Sequence, residues 1–270
     1  MAPDVLKTEL EPADMGEAVA RSNIMPFFPP KNPGAEKRQN PVSTCQNCLA
    51  RKQAVCSALQ DEKLEKFGKF GRSKLVLADE TVFRAEDAAN YVFIVISGEI
   101  RLSNLLDDGR RQITGFKGCG DLIGNQLDGA YTTDAEAVCD AVVCQFPVYA
   151  LDSLTTESAA FQTALLTAAR QEMEAMRHHA VLLGRKTPVE KICSFLNHRA
   201  DKKAFTALGN KRIKLPMGRR DIADYLGLTI ETVSRTLSKL KLQSVIEIPT
   251  AHDIVIKDME ELATLAEGRV

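Results

Sequence analysis

Residues 217–240 read MGRRDIADYLGLTIETVSRTLSKL, and this stretch decides the fold of the C-terminal part of the chain. It contains two amphipathic segments separated by Gly227, a residue that tolerates the positive φ of a tight turn. Gly218 and Thr229 occupy the positions where the N-caps of two helices are expected. Asp221 falls in the first turn of the first helix, where the helix dipole favours a negative charge. The pattern predicts a helix-turn-helix.

Both predicted helices have an apolar face that a core can bury. The inward positions are Ile222, Ala223 and Leu226 in the first helix and Val233, Leu237 and Leu240 in the second. The remaining positions of the second helix are therefore expected to face solvent or a partner.

The outward face of the second helix carries Glu231, Ser234 and Arg235, which project together because they are spaced at i, i+3 and i+4. An Arg can donate two hydrogen bonds to guanine O6 and N7, a Glu can accept one from cytosine N4, and a Ser can reach a base or a phosphate. This set indicates that the helix reads bases in a DNA major groove. The alternative is a structural three-helix unit with a solvated charged face.

Further residues around this face are candidates for contacts to DNA, chiefly to phosphates, which supply affinity rather than sequence choice. They are Thr229, Arg219, Arg220 and Lys239. The local charge agrees, since residues 184–248 hold fourteen Lys or Arg against six Asp or Glu, a net charge of +8 in a chain whose total is −1. Such an excess is typical of proteins that bind the phosphate backbone.

The elements around this stretch complete a winged helix-turn-helix. We expect a helix at Val189–Arg199, a strand at Arg212–Leu215, and a strand pair around Val245–Ile248 and Ile254–Ile256. The order of helix, strand, two helices and strand pair is that of a winged DNA-binding domain.

Residues 74–148 have a different texture, in which short β-branched and aromatic runs alternate with Gly and Asp turns. Several short strands at a spacing of roughly 8–12 residues predict an antiparallel sandwich or barrel. The runs are Leu75–Leu77, Tyr91–Ile96, Glu99–Leu102, Gln112–Phe116 and Val142–Phe146.

A long helix is predicted after the β-rich region, because the chain from about Thr155 to Leu183 has neither Gly nor Pro. Its apolar residues step by three and four, the period of a coiled-coil seam. The predicted dimer seam consists of Leu166, Ala169, Met173, Met176, Ala180 and Leu183. We expect the helix to end at Gly184 and the next element to begin at Pro188. A helix packed only on its own domain is the alternative.

Three of the seven cysteines, Cys45, Cys48 and Cys56, are clustered ahead of the β-rich region. Thiolates at such spacing can hold zinc or an iron–sulfur cluster, and three ligands require a fourth. Spacing alone does not choose between these metals, and three unligated thiols are a further alternative. Cys193 lies in an apolar helical pattern and is expected in the core.

Two sets of motifs resemble the CRP/FNR superfamily of bacterial transcription regulators and, within it, the oxygen-sensing FNR branch. They are Gln112–Phe116 with Gly120–Gly124, and the run from Asp221 to Arg235, whose Glu-x-x-Ser-Arg pattern is typical of FNR-like recognition helices. The resemblance covers roughly Cys45 to the C-terminus. It implies an α+β protein with an N-terminal antiparallel β-roll (a cyclic-nucleotide-binding-like jelly roll), a long dimerisation helix and a C-terminal winged helix-turn-helix.

The resemblance also implies partners and a cofactor. The partners are a second copy of the chain, palindromic DNA with TTGAT-type half-sites, and RNA polymerase, with the protein acting as an activator. The cofactor is an oxygen-labile 4Fe–4S cluster held by Cys45, Cys48, Cys56 and a fourth cysteine from the β-roll. In the family the fourth ligand precedes a short hydrophobic-Pro segment, which matches Cys144. Its alternatives are Cys139 and Cys119.

One position departs from the family pattern. FNR proteins often carry an acidic residue in the dimer seam, where its repulsion helps to keep the cluster-free form monomeric. This chain has Met176 at the corresponding place. The alternative to an oxygen-controlled dimer is therefore a constitutive dimer whose DNA-binding units change orientation.

The sequence also bears on other effectors and on an enzymatic function. A cyclic phosphate needs a positive side chain beside backbone N–H donors, and residues 121–148 contain no Lys or Arg, so no cyclic nucleotide is expected. Redox-active thiols and haem are alternatives, and the candidate axial ligands for haem are His178, His179, His198 and Cys119. The chain lacks a phosphate-binding glycine loop, a Gly-x-Ser-x-Gly elbow and a His-Glu-x-x-His pair, so it is not expected to be an enzyme. A metalloenzyme using the cysteines is the alternative.

We expect a cytoplasmic protein without a membrane partner. No run approaches the roughly 18–20 apolar residues of a membrane-spanning helix, and the N-terminus does not read as a signal peptide. In a reducing compartment the cysteines are not expected to form disulfides. The predicted organisation is a flexible tail at 1–44, the cysteine-bearing segment and β-roll at 45–154, the dimerisation helix at 155–184 and the DNA-binding domain at 185–270.

Overall fold

The computed structural model describes residues 45–124, 129–201 and 211–269, and the predicted tail at 1–44 lies outside this part. The described part begins with two short 3-10 helices, Cys45–Asn47 and Val55–Ala58, and helix α1, Asp61–Phe70. The strands that follow are β1 Arg72–Val76, β2 Thr81–Phe83, β3 Tyr91–Ser97, β4 Ile100–Leu105, β5 Arg111–Lys117, β6 Leu122–Ile123, β7 Asp134–Ala137 and β8 Ala141–Pro147.

These strands form two sheets, with the orders β1-β8-β3-β6 and β2-β7-β4-β5. Every pairing within them is antiparallel. The two sheets share a core in which Val95 and Val143 of the first pack with Ile100 and Ala135 of the second. The predicted antiparallel β-roll is therefore confirmed. Strands β2, β6 and β7 were not anticipated, because each is too short to show a periodic pattern.

Strand β3 is covered on both faces, which explains its unbroken apolar run. Phe93 and Val95 point into the core between the sheets, whereas Val92 and Ile94 point outward into a second core. The second core is formed by the cysteine-bearing segment, α1 and the helices after β8. It holds the cysteine-bearing segment against the β-roll.

The long helix differs from its predicted bounds at both ends. Helix α2 spans Val148–Glu157, and a separate helix α3 spans Ala159–Arg185. The break lies at Ser158, which has extended backbone angles and whose side chain caps α3 by accepting a hydrogen bond from the N–H of Phe161. The predicted stop at Gly184 is wrong, because α3 continues through this residue. Lys186 leaves the helix in an extended conformation, two residues ahead of Pro188.

The C-terminal elements have the predicted winged helix-turn-helix order. They are α4 Pro188–Asp201, β9 Lys211–Lys214, α5 Arg219–Leu226, α6 Ile230–Leu242, β10 Ile246–Thr250, β11 Asp253–Ile256 and α7 Met259–Glu267. The three strands form an antiparallel sheet in the order β10-β11-β9. Cys193 is fully buried in the core of this unit, as predicted. Among the described residues, no helix has both the length and the apolar character needed to cross a membrane.

Candidate functional site

The turn between α5 and α6 has the geometry that its sequence predicts. Gly227 adopts the left-handed conformation, with φ 61° and ψ 45°, and its N–H donates to the carbonyl of Ala223. Gly218 is the N-cap of α5 but provides no side-chain bond. The Thr229 hydroxyl accepts a hydrogen bond from the N–H of Thr232 at 3.2 Å and so caps α6. The predicted inward residues of both helices are buried.

The predicted reading face of α6 is open to solvent. Glu231, Ser234 and Arg235 are all exposed. The pKa of Glu231 is lowered, first by a hydrogen bond from its own backbone N–H, then by the Thr229 hydroxyl and by the charge of Arg235. Glu231 is therefore an anion at neutral pH and can only accept hydrogen bonds, as a contact to cytosine N4 requires.

The candidate phosphate-binding residues differ in exposure. Arg220 and Lys239 are exposed, whereas Arg219 is partly buried. The Nη1 atom of Arg219 is buried and has no hydrogen-bond partner among the described residues, and burial lowers the pKa of this group. Because this atom is buried, Arg219 is less open to a phosphate in this structure than Arg220 and Lys239 are.

The second candidate site is a group of cysteines at the outer face of the β-roll. Residues alternate across a strand, so Cys144 and Phe146 of β8 share its outer face while Val143 points into the core between the sheets. Cys45, Cys48 and Cys56 pack against the same outer core. The fold therefore brings the three N-terminal thiols to the strand that carries Cys144.

Each of the six pairs among these four thiols is close enough to interact electrostatically. Burial is the main cause of the raised pKa of Cys45, Cys56 and Cys144, and the charges of the other thiolates add to it. The pKa of Cys56 rises to about 11 and that of Cys144 to about 12. Without a cation Cys45, Cys56 and Cys144 remain protonated at neutral pH, so binding of a metal has to displace their protons. We refer to Cys45, Cys48, Cys56 and Cys144 as the four-thiol group.

Two glycines leave room for these sulfurs at the end of α1. A Cβ atom at Gly68 would lie 3.0 Å from Sγ of Cys45, and one at Gly71 would lie 3.2 Å from Sγ of Cys144. Gly71 has φ −74° and ψ 133°, which any residue can adopt, so the close approach is what favours glycine there. Cys45 and Cys144 thus flank the same helix end, although they are far apart in sequence.

Arg51 belongs to this site and was missed by the sequence reasoning. Its guanidinium donates to the carbonyls of Cys56 at 3.3 Å and Leu59 at 3.1 Å, which fastens the loop between the cysteines. Its charge also acts to lower the pKa of Cys45 and Cys56. Its position as a basic residue between the clustered cysteines is the sequence signal that could have identified it.

Cys119 and Cys139, which are also partly buried, are placed differently. Cys119 packs on the same core and interacts with Cys48, but no interaction with the other three thiols is resolved. Cys139 lies in the turn before β8, up to roughly 16 Å along the chain from Cys144. Of the three alternatives for a fourth ligand, Cys144 is the one that interacts with all three N-terminal thiols.

The four-thiol group does not have the arrangement of a single-ion site. Among the described residues, no three His, Cys, Asp or Glu side chains converge closely enough to hold one metal ion. A lone zinc ion needs sulfurs about 2.3 Å from one centre, whereas an iron–sulfur cluster is itself several atoms wide and accepts thiolates that stand farther apart. An all-thiol donor set is used both by structural zinc sites and by iron–sulfur clusters.

The predicted dimer seam is apolar and exposed along most of α3. Leu166, Met173 and Met176 are 51%, 52% and 57% exposed, and Ala169 and Ala180 are exposed as well. Leu183 differs, since it is partly buried against the core of the DNA-binding unit. The assignment of these residues to a dimer interface stays a prediction.

Both halves of the chain match known protein families. Residues 190–265 match the model of the Crp-like helix-turn-helix domain, and residues 74–158 match that of the cyclic nucleotide-binding domain. The nitrogen fixation regulation protein FixK of Bradyrhizobium diazoefficiens is 40% identical over 204 residues, covering 76% of this chain and 86% of the relative. The transcriptional activator protein FnrL of Cereibacter sphaeroides is 32% identical over 222 residues, covering 81% and 90%.

The fold has a solved counterpart in FixK2 from Bradyrhizobium japonicum. That structure superposes with a TM-score of 0.68 at 34% sequence identity, covering 72% of this chain and 96% of the other. The likeness supports the order of β-roll, long helix and winged helix-turn-helix described above.

Proposed function

The chain belongs to the CRP/FNR family of DNA-binding transcription regulators, and we propose that it senses oxygen through a 4Fe–4S cluster on the four-thiol group. The relatives are regulators rather than enzymes, which confirms the class predicted from the sequence. The observation that supports the sensor is the mutual interaction of Cys45, Cys48, Cys56 and Cys144 on the outer face of β8.

Such a sensor would control how firmly the cysteine-bearing segment is attached to the β-roll. Three ligands come from the cysteine-bearing segment and one from β8, so the segment is tied to the β-roll at both its ends. When bound, the cluster supplies an oxygen-labile cross-link, and small metal sites contribute on the order of 10 kcal/mol to folding. Moving a two-state equilibrium from 1:99 to 99:1 takes about 5.5 kcal/mol. Without that cross-link, the segment keeps its apolar contacts through residues such as Ala50, Ala54 and Leu59.

The output is DNA binding by a dimer, as in the family. We propose that α3 pairs with its copy through the exposed seam and that α6 enters the major groove at each half of a palindrome of TTGAT-type half-sites. Arg235 and Glu231 read bases, while Arg219, Arg220 and Lys239 contact phosphates. The protein acts as an activator together with RNA polymerase.

The cluster is tested by purifying the full chain anaerobically and measuring iron, sulfide and the absorbance spectrum before and after a pulse of air. We expect about four irons and four sulfides per chain and a cysteinate charge-transfer band that changes in air. Single Cys→Ser variants at Cys45, Cys48, Cys56 and Cys144 should lose the iron, whereas Cys139→Ser keeps it as the matched control. Zinc alone, or no metal in strictly anaerobic protein, would refute the sensor and leave the family assignment intact.

Base recognition is tested with Arg235→Ala. We expect a loss of about 1–3 kcal/mol in binding to the palindrome and a much smaller loss on unrelated DNA. Lys239→Ala serves as a control, because loss of a phosphate contact weakens binding to both DNAs alike. Equal losses on both DNAs for Arg235→Ala would show that it does not read a base.

A further inference from the structure

A buried group of charges joins the β-roll to the first helix of the helix-turn-helix. Arg111, at the start of β5, donates from Nη2 to Asp221 at 2.6 Å and to Asp224 at 2.7 Å, and from Nε to Asp224 at 2.9 Å. Arg101, on β4, donates from Nη1 to Asp221 at 3.5 Å. We refer to Arg101, Arg111, Asp221 and Asp224 as the interdomain ion-pair group.

The two arginines separate acids that would otherwise repel each other. Arg101 also donates to Asp79 and to Glu136, both at 3.0 Å, and Nη1 of Arg111 lies 3.9 Å from Glu136. Four carboxylates, two from the β-roll and two from α5, therefore surround two guanidiniums. Like charges at such distances repel, the more so away from water. The β-roll attracts α5 at this point because the two arginines lie between the acids.

The interdomain ion-pair group is shielded from solvent. The side chains of Arg101 and Asp221 are 10% and 12% exposed, and those of Arg111 and Asp224 are 23% and 24% exposed. Removing one partner of such a pair leaves an uncompensated buried charge, which is far more unfavourable than losing a surface pair. Reversing one of these charges should therefore separate α5 from the β-roll.

The residue next in sequence connects the same helix to the dimerisation helix. The ring of Tyr225 stacks on His179 of α3, with centroids 4.2 Å apart, and lies 5.3 Å from Phe116 of β5. The carbonyl oxygen of Tyr225 faces Nε2 of His179 at 2.8 Å and accepts from Gln112 at 3.3 Å. Helix α5 is thus held at a junction of the β-roll, the dimerisation helix and the DNA-binding unit.

These contacts leave the reading face uncovered. Glu231, Ser234 and Arg235 of α6 remain exposed while α5 is held by the β-roll. The contact therefore orients α6 without blocking it. A dimer on a palindrome needs its two recognition helices about one DNA turn apart, so freedom of either unit reduces the fraction of dimers that can bind both half-sites.

We propose that Arg101 and Arg111 are positioning residues for DNA binding, which hold α5 through Asp221 and Asp224 and so set the orientation of α6 in the dimer. The inference rests on the DNA-binding function and goes beyond it, because none of the four residues is among those assigned to DNA contacts. It predicts that palindrome binding and half-site binding respond differently when the group is broken.

The first experiment compares Arg111→Glu, Asp224→Arg and the double swap on two DNAs, a palindrome of TTGAT half-sites and a duplex with one half-site. If each unit is held a quarter of the time, one dimer in sixteen presents both helices, and the apparent Kd for the palindrome rises roughly sixteen-fold. Binding to the single half-site should stay within about twofold, since one α6 suffices there and its orientation relative to the other unit does not matter. The double swap restores an ion pair between positions 111 and 224 but not the bond to Asp221. It should therefore regain part of the affinity for the palindrome that Arg111→Glu loses. Arg110→Glu is the matched control, because Arg110 is 77% exposed and pairs with Asp108.

The second experiment measures hydrogen–deuterium exchange of the same full-length proteins without DNA. Exchange in α5 and β5 should rise in Arg111→Glu and fall back toward the wild-type level in the double swap, whereas exchange in β8 should stay unchanged in both. Unchanged exchange in α5 would overturn the inference, as would faster exchange with undiminished binding to the palindrome. If the wild-type protein does not bind the TTGAT palindrome, the proposed half-site is wrong, while exchange still tests whether the ion pairs hold α5.

Discussion

Gly71→Ala tests the packing that brings Cys144 to the N-terminal thiols. The new Cβ would lie 2.7 Å from Cε1 and 3.0 Å from Cζ of Phe146, and 3.2 Å from Sγ of Cys144. Phe146 has no room to retreat, because it is 2% exposed and its ring stacks on Phe67 with centroids 4.0 Å apart. Phe67 is itself 1% exposed and packs against Phe161.

The expected cost follows from two opposing effects. Overpacking a filled core costs about 1–3 kcal/mol. Replacing a glycine at a permitted φ stabilises by about 0.4–1 kcal/mol through the unfolded chain. The free energy of unfolding should therefore fall by about 1–2 kcal/mol, which lowers Tm by a few degrees in a protein of this size.

The assay is urea unfolding of reduced, chelator-treated protein, followed by circular dichroism, together with the rate at which Cys144 is alkylated in the native state. We expect lower stability and faster alkylation of Cys144 in Gly71→Ala. Gly118→Ala is the control, because a Cβ there would meet no atom within 4 Å, and its stability should change by less than about 0.5 kcal/mol. Wild-type stability and an unreactive Cys144 in Gly71→Ala would refute this account of the site.

Three further predictions concern the long helix. Met176→Glu places a charge on the exposed seam and should weaken the dimer at least about tenfold in sedimentation equilibrium. Ala175→Glu, one position off the seam, should leave the dimer intact. Equal dimerisation of the two variants would show that Met176 does not lie in the interface. Gly184→Ala should raise the free energy of unfolding by about 0.5–1 kcal/mol in urea titrations, because the residue is helical and an added Cβ would meet open space. A destabilised variant would contradict the continuous helix. His179 has a pKa below its usual 6.5, first because of burial, so it favours folding in the neutral form. Its contribution is fully present above pH 6.5 and is lost as the pH falls below it. Denaturant titrations should therefore show a steeper loss of stability from pH 7.5 to 5.5 in wild type than in His179→Gln, which can still donate to the carbonyl of Tyr225; equal slopes would count against a buried neutral His179.

Local sequence signals were reliable where the structure depends on neighbours in the chain. The turn at Gly227, the cap at Thr229 and the alternation of buried and exposed positions in α6 are confirmed. They are determined by backbone conformation and helical period, which act over a few residues. The same holds for the strand Tyr91–Ser97, although its burial on both faces could not be read from its apolar run.

Helix bounds were predicted less well, because competing signals lie close together. The composition of residues 155–183 gave no sign of the break at Ser158, where a single side-chain cap starts a new helix. The stop at Gly184 was wrong because glycine permits the end of a helix without requiring it. The chain leaves the helix two residues ahead of Pro188, whose ring disfavours helical angles in the residue before it.

The sequence by itself determined the class of the protein, the helix-turn-helix with the exposed face of its second helix, and the three N-terminal thiols. Each of these depends on residues that are close together in the chain. Only the tertiary structure decided the rest. It brought Cys144 close to the three N-terminal thiols, because strand alternation and the register of β8 place its sulfur on the outer face. It also showed that Arg101 and Arg111 hold α5, a contact across more than a hundred residues. Such partners are set by how sheets and helices pack, and no local periodicity records them.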